Sequence, residues 1–193
     1  MNEKKLNIKE NDILFFDMDG TLVDTDFANF LSYKKAIQSV ILSENEINIE
    51  FNPNVRFNRA SLKIAVPNLT KSEYEKIIQK KEEYYKEHLS ETKLIISVVD
   101  IVLKHHKTHK TVLVTNCRED RALMTLNYHN LTDKFSNIFF RKISENGERI
   151  NKYKNAISSL SLSDQTVIVF ENEKPEIEDA ILAGIFAENI IKI

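Results

Sequence analysis

Three runs along the chain are apolar without a break: "ILFF" at 13–16, "TVLVT" at 111–115 and "TVIVF" at 166–170. Each is rich in β-branched or aromatic residues, and each is followed by a polar turn and then by residues in helical spacing. A strand wetted on one side alternates apolar with polar positions, whereas an unbroken apolar run of this length is a strand covered on both faces. Such strands alternating with helices predict an α/β protein with a parallel sheet and crossover connections. The helices are predicted over Phe27–Leu42, where Phe27, Phe30, Leu31, Ile37 and Ile41 recur at helix spacing, and over Ser97–His106, Glu119–Asn130 and Lys152–Leu160.

The interval from 17 to 110 is far longer than the crossover of about a dozen residues that joins two parallel strands. It therefore holds an insertion, placed at 26–90, with 1–25 and 91–193 forming the core. The insertion is mainly helical. Its clearest element is "TKSEYEKIIQKKEEYYKEHL", with Thr70 as N-cap and Glu73 three residues on, the pattern of a capping box. The stretch "NEINIEFNPNVRFN" has no period and reads as loop, and Tyr74, Tyr84 and Tyr85 read as packing inside the insertion. Three glycines and three prolines in 193 residues leave no flexible linker, so the hinges are short.

Composition narrows the function. The 27 basic and 29 acidic residues give a net charge of -2, which is no footprint for nucleic acid or for an anionic membrane surface. No stretch approaches the roughly 20 apolar residues of a membrane span. The start, "MNEKKLNIKEND", lacks the apolar run of a signal peptide, and the single cysteine, Cys117, suits a reducing compartment. The expectation is a cytoplasmic protein, monomeric or weakly dimeric, with a small-molecule partner.

The chemistry gathers at the strand ends, where open parallel sheets bind ligands. Asp17 and Asp19 are two apart, so in extended backbone they point to one side, and Gly20 permits the tight turn that follows. Asp24 and Asp26 suit a helix cap as well as they suit catalysis. At the second strand end, Thr115 and Asn116 offer a hydroxyl and an amide to an anion, or simply cap the next helix. Lys152 opens a helix, where the dipole disfavours a cation unless an anion faces it; Lys154 is its rival. At the third strand end, Glu171, Asn172 and Glu176 supply oxygens suited to a hard cation. Cys117 has no histidine signature and reads as a small buried residue, and His105 and His109 in "KHHKTHK" read as a solvated helix end.

These residues, in this order, resemble the four motifs of haloacid dehalogenase-like hydrolases: Asp-x-Asp-Gly-Thr at 17–21, Thr115, Lys152 and the acidic strand end at 171–176. The resemblance implies a doubly wound, Rossmann-like core with a small α-helical cap of the kind found in phosphoglycolate phosphatases and β-phosphoglucomutases. It also implies a Mg²⁺-dependent phosphatase acting on a small phosphorylated metabolite. By the same resemblance Asp17 is the nucleophile and Asp19 the acid and base. Thr115, Asn116, Lys152, Gly20 and Thr21 surround the phosphoryl group, and Arg59 faces the substrate. Mg²⁺ is held by Asp17, the Asp19 carbonyl and Asn172, with Glu171 and Glu176 beside them. Where the family has Asp, this chain has Asn172, which removes one negative charge from the metal site. A phosphomutase would use the same residues, and a binding protein that kept the fold would explain Asn172.

Overall fold

The computed structural model describes residues 8–41, 48–162 and 166–193. The chain divides into two compact units, one of Met1–Leu22 with Ile95–Ile193 and one of Val23–Leu94. Among the described residues no helix is long and apolar enough to cross a membrane.

The first unit is built on a sheet of five parallel strands: β1 (Ile13–Phe16), β4 (Thr111–Val114), β5 (Asn137–Phe139), β6 (Val167–Glu171) and β7 (Ile190–Lys192). Their order is β5-β4-β1-β6-β7. β1 lies at the centre, with Phe15 in register with Val112 on one side and Val169 on the other. This is why the three runs read from the sequence are unbroken: every residue of β4 and β6 is buried, as are Leu14, Phe15 and Phe16. β5 and β7 are edge strands of three half-buried or exposed residues, too short to stand out as apolar runs.

The two-residue period of β1 sends Phe15 and Phe16 to opposite faces. Phe15 packs with Val112, Val114, Val167 and Val169, and Tyr153 and Ala156 of α6 (Lys152–Leu160) and Ala180 of α7 (Lys174–Leu182) close over them. Phe16 instead stacks on Phe170, with centroids 4.6 Å apart, and meets Phe135 edge-on. Two further helices, α4 (Ile96–His105) and α5 (Glu119–Tyr128), bury Val98, Val99 and Val102, and Ala122 and Leu126. α6 begins and ends where the sequence placed it; Asn151 caps its start by accepting a hydrogen bond from Lys154 N, and Ser161 closes it in a left-handed conformation. α5 ends two residues early at Tyr128.

The second unit carries α1 (Asp26–Val40), α2 (Arg59–Ala65) and α3 (Lys71–Tyr85), with a two-stranded antiparallel pair, β2 (Val23–Asp24) and β3 (Lys93–Leu94), at its chain ends. The insertion read at 26–90 lies inside it. α1 stops at Val40; Leu42, the end expected for this helix, lies outside the described residues. The Thr70 capping box is present: Thr70 N donates to Glu73 at 2.9 Å and Glu73 N to the Thr70 hydroxyl at 3.3 Å. A second box, unread in the sequence, starts α2, with Asn58 and Ser61 exchanging hydrogen bonds. Phe30, Tyr33, Ile37, Leu62 and Ile77 form the core, with Tyr74 and Tyr84 packed against it and Tyr85 fully buried. Residues 48–58 of the loop form no helix or strand, and 45–47 lie outside the described residues.

Because Phe15 fills the centre of the main core, truncating it leaves a cavity that the neighbouring valines cannot close. Phe15→Ala is expected to cost about 3–5 kcal/mol. Urea denaturation measures this, and a loss below about 1 kcal/mol would mean that the packing around β1 is not as described.

Candidate active site

The end of β1 continues the sheet for one more residue, since Asp17 N donates to Phe170 O at 3.1 Å. The chain then turns sharply: Thr21 N and Leu22 N both donate to Met18 O. Gly20 makes the turn with φ +81, and a Cβ on it would lie 2.3 Å from the Asn172 amide nitrogen. Glycine is thus required twice, by a left-handed backbone and by the close approach of Asn172. The Thr21 hydroxyl donates to Asn172 Oδ1 at 3.0 Å and ties the first strand end to the third.

Lys152 stands at the centre. It is 3% exposed, and its Nζ lies 2.6 Å from Asp17 Oδ1, 2.8 Å from Glu171 Oε2 and 3.5 Å from Glu176 Oε2. The anions expected of a lysine at a helix start are therefore present. Lys154, its rival, is exposed and offers the cap only its backbone N. Glu171 is fully buried and completely engaged. Its Oε2 accepts from Lys152 and from the Tyr153 hydroxyl, and its Oε1 accepts from the backbone N of Asn172 and Glu173. Glu176 accepts from the Asn116 amide at 2.7 Å and from Arg149.

Asp19 does not join Lys152; its carboxylate accepts from Arg121 Nη2 of α5 at 2.6 Å. Four carboxylates, Asp17, Asp19, Glu171 and Glu176, thus meet three cations, Lys152, Arg121 and Arg149. That pairing is what makes the burial tolerable, because an unpaired buried charge costs several kcal/mol. Burial raises the Asp17 carboxyl to about 7, with Lys152 pulling it down and Glu171 pushing it further up. Burial acts to lower the Lys152 ammonium, but Asp17, Glu171 and Glu176 outweigh it and hold the group above the ordinary lysine value. Tyr153 is held well above its usual range by burial and by Glu171.

Thr115 is buried at the end of β4, its hydroxyl accepting from Cys117 N at 3.0 Å with a proton left to donate. The Asn116 amide oxygen is buried and has no hydrogen-bond partner among the described residues. The structure therefore brings together Asp17, Asp19, Gly20, Thr21, Thr115, Asn116, Lys152, Glu171, Asn172 and Glu176 in the first unit. Arg59 belongs to the second unit, where it opens α2 and is exposed. Asp24 and Asp26 also lie there. The Asp24 carboxylate accepts from Asp26 N, and Asp26 pairs with Arg56. His105 and His109 approach through their Nδ1 atoms at 3.3 Å, but no group of three metal-binding side chains accompanies them among the described residues. Sequence reading missed Arg121, Arg149 and Tyr153. Tyr153 alone carried a signal, being next to Lys152 at a helix start.

The family model of haloacid dehalogenase-like hydrolases matches residues 14–188. No curated protein sequence matches the chain. Among solved structures, one described as a predicted phosphoglycolate phosphatase from Haemophilus somnus is 19% identical. It covers 96% of this chain and 86% of that one, with a TM-score of 0.72. A protein provisionally named β-phosphoglucomutase, from Thermotoga maritima, is 23% identical over 94% of this chain and 84% of its own, with a TM-score of 0.64. CbbY from Rhodobacter sphaeroides, solved in complex with phosphate, is 13% identical over 91% and 84%, with a TM-score of 0.69. At these identities the likeness is one of fold.

Gly20→Ala tests the turn. It must strain a left-handed position, at about 1–2 kcal/mol, and push Asn172 off Thr21. Chemical denaturation is expected to show at least that loss; wild-type stability would mean that Asn172 does not sit against Gly20.

Proposed function

We propose that this chain, which belongs to the haloacid dehalogenase-like hydrolase family, is a phosphatase that removes phosphate from a small phosphorylated metabolite through an aspartyl phosphate on Asp17. The observation that carries the reading is the Asp17–Lys152–Glu171 cluster: a buried carboxylate at a strand end, held by a buried ammonium that also meets Glu171.

Lys152 holds Asp17 Oδ1, which leaves Oδ2 to attack phosphorus. As the new P–O bond forms, the bond to the leaving oxygen breaks and Asp19, which must first leave Arg121 and take up a proton from water, supplies the proton that this oxygen takes up. Water then attacks the phosphoryl group, Asp19 accepts a proton from it, and the bond to Asp17 breaks to release phosphate. The Thr115 hydroxyl, the Asn116 amide and Lys152 stabilise charge on the phosphoryl oxygens, the main requirement of phosphoryl transfer. Gly20 and Thr21 shape the loop that presents Asp17 and Asp19.

The residues fit a hard divalent cation such as Mg²⁺. Asp17 offers a carboxylate oxygen, Asp19 its carbonyl and Asn172 an amide oxygen, and the unpartnered Asn116 oxygen suits a bound water or substrate hydroxyl. One or two carboxylates suffice for Mg²⁺, which keeps water in its remaining positions. Bound there, the cation would neutralise charge on the phosphoryl group and on Asp17. Glu171 is committed to Lys152, Tyr153 and the turn after β6, so in this reading it orients the backbone at Asn172. Arg59 keeps a role in choosing the substrate, and the partner remains a small molecule, with no nucleic acid and no membrane.

Asn172, and the pairing of every acidic group with a protein cation, favour a second reading, a ligand-binding protein without turnover. Phosphate release from an aryl phosphate separates the two. The wild type is expected to be active with Mg²⁺ and Asp17→Asn inactive, since an amide is not a nucleophile; equal turnover in both would remove Asp17 from the chemistry. Lys152→Ala is expected to abolish activity and Lys154→Ala to leave it near normal, and the reverse would exchange their roles. Asn172→Asp is expected to lower the Mg²⁺ concentration giving half-maximal turnover, with the same product. If only the Asp variant turns over at any metal concentration, the chain is a binding protein; if the two titrations coincide, residue 172 is not a ligand.

A further inference from the structure

We propose that Arg149 sets how tightly this site takes a divalent cation, by holding Glu176 in an ion pair that withholds it from the metal. The inference rests on the reading of Asp17, Asp19 and Asn172 as the metal's protein ligands.

Arg149 reaches the site from a tight excursion between β5 and α6. Gly147 N donates to Ser144 O and Ser144 N to Glu148 O, with Gly147 at φ +81, and Ile143 bridges Arg149 antiparallel. This turn points the guanidinium at α7, where its fork takes two carboxylates a turn apart: Nη1 donates to Glu176 Oε1, and Nη2 to Asp179 Oδ2 at 2.8 Å. The other Glu176 oxygen is taken by the Asn116 amide and faces Lys152 at 3.5 Å.

The end of β6 thereby loses acidic character in two ways. Asn172 is neutral by sequence. Glu171 and Glu176 are acidic but bonded on both oxygens, and of the two only Glu176 is paired with a cation other than Lys152. Lys152 faces Asp17, Glu171 and Glu176, whereas the ion pairs of Arg149 among the described residues are with Glu176 and Asp179. A carboxylate held by a guanidinium is a poor acceptor for a metal-bound water, and the added positive charge opposes a second cation nearby. Removing Arg149 frees Glu176 Oε1 and leaves the direct Lys152 contacts to Asp17 and Glu171 in place. Its side chain is 40% exposed, so the change is a surface one and should not prevent folding.

Mn²⁺ serves as the probe, its free concentration read by electron paramagnetic resonance in titrations of the metal-stripped protein, with no substrate and no turnover. Arg149→Gln is expected to bind Mn²⁺ about tenfold tighter than wild type, the scale on which groups supporting a metal's ligands act. Arg149→Lys, which keeps the charge and loses the fork, is expected to fall between the two. In a Glu176→Gln background the Arg149→Gln change is expected to have no effect, because the released carboxylate is missing. Mn²⁺ affinity unchanged by Arg149→Gln, or tightened equally with Glu176→Gln present, overturns the proposal. Asn172→Asp run alongside separates the two levels. If it tightens binding while Arg149→Gln does not, the metal site stands and the role of Arg149 falls. If no variant binds Mn²⁺, both the metal reading and the role given to Arg149 fail.

Discussion

The Lys152 ammonium, buried between Asp17 and Glu171, is the interaction on which the rest of the site depends. It lies at the first position of α6, and the next residue, Tyr153, donates to the same Glu171 oxygen. The start of the helix is thereby fastened to the end of β6, and Asp17 is fastened to both. Glu171 then uses its other oxygen to fix the two backbone N–H groups that lead into α7. Without the lysine, Asp17 and Glu171 would face each other in a site almost closed to water, a situation worth several kcal/mol of destabilisation. The lysine therefore serves the stability of the sheet's carboxyl edge and, in the proposed mechanism, its chemistry.

Each carboxylate around it has a protein cation before any ligand arrives. Asp19 has Arg121, Glu176 has Arg149, and Asn172 brings no charge at all. Under the metal reading proposed above, a site built this way would offer a cation few charged ligands, and how firmly the surrounding carboxylates are kept occupied would set its affinity. The same economy fixes geometry. Asn172 can lie against the turn at 17–21 only because residue 20 has no Cβ, so Asn172 and the glycine of the first motif are one packing unit.

The central strands were legible because burial on both faces writes itself as an unbroken apolar run, and β1, β4 and β6 are such strands. β5 and β7 were not, since edge strands of three partly exposed residues carry no such mark. α7 was hidden by its acidic, proline-led start, "KPEIEDAIL". α3 was legible at its start because its capping residue, Thr70, announces it, whereas the cap of α6, Asn151, was not read. The acidic positions at the strand ends could be named from spacing alone, but their partners could not: Arg121 meets Asp19 across 102 positions and Arg149 meets Glu176 across 27. Pairings of that kind depend on the fold having closed. Glu171 shows the same limit, since its oxygens are available in sequence and fully engaged in space.

The central claim is that Asp17 carries the phosphoryl group, and the most direct measurement is to look for it there. The protein would be mixed with a reactive phosphate donor and Mg²⁺, quenched in acid within milliseconds, digested at low pH and mapped by mass spectrometry. The account predicts one phosphoryl group on the peptide containing Asp17, absent from Asp17→Asn and lost when hydroxylamine is added. Turnover of the donor with no phosphorylated peptide, or with the group on another residue, would contradict it.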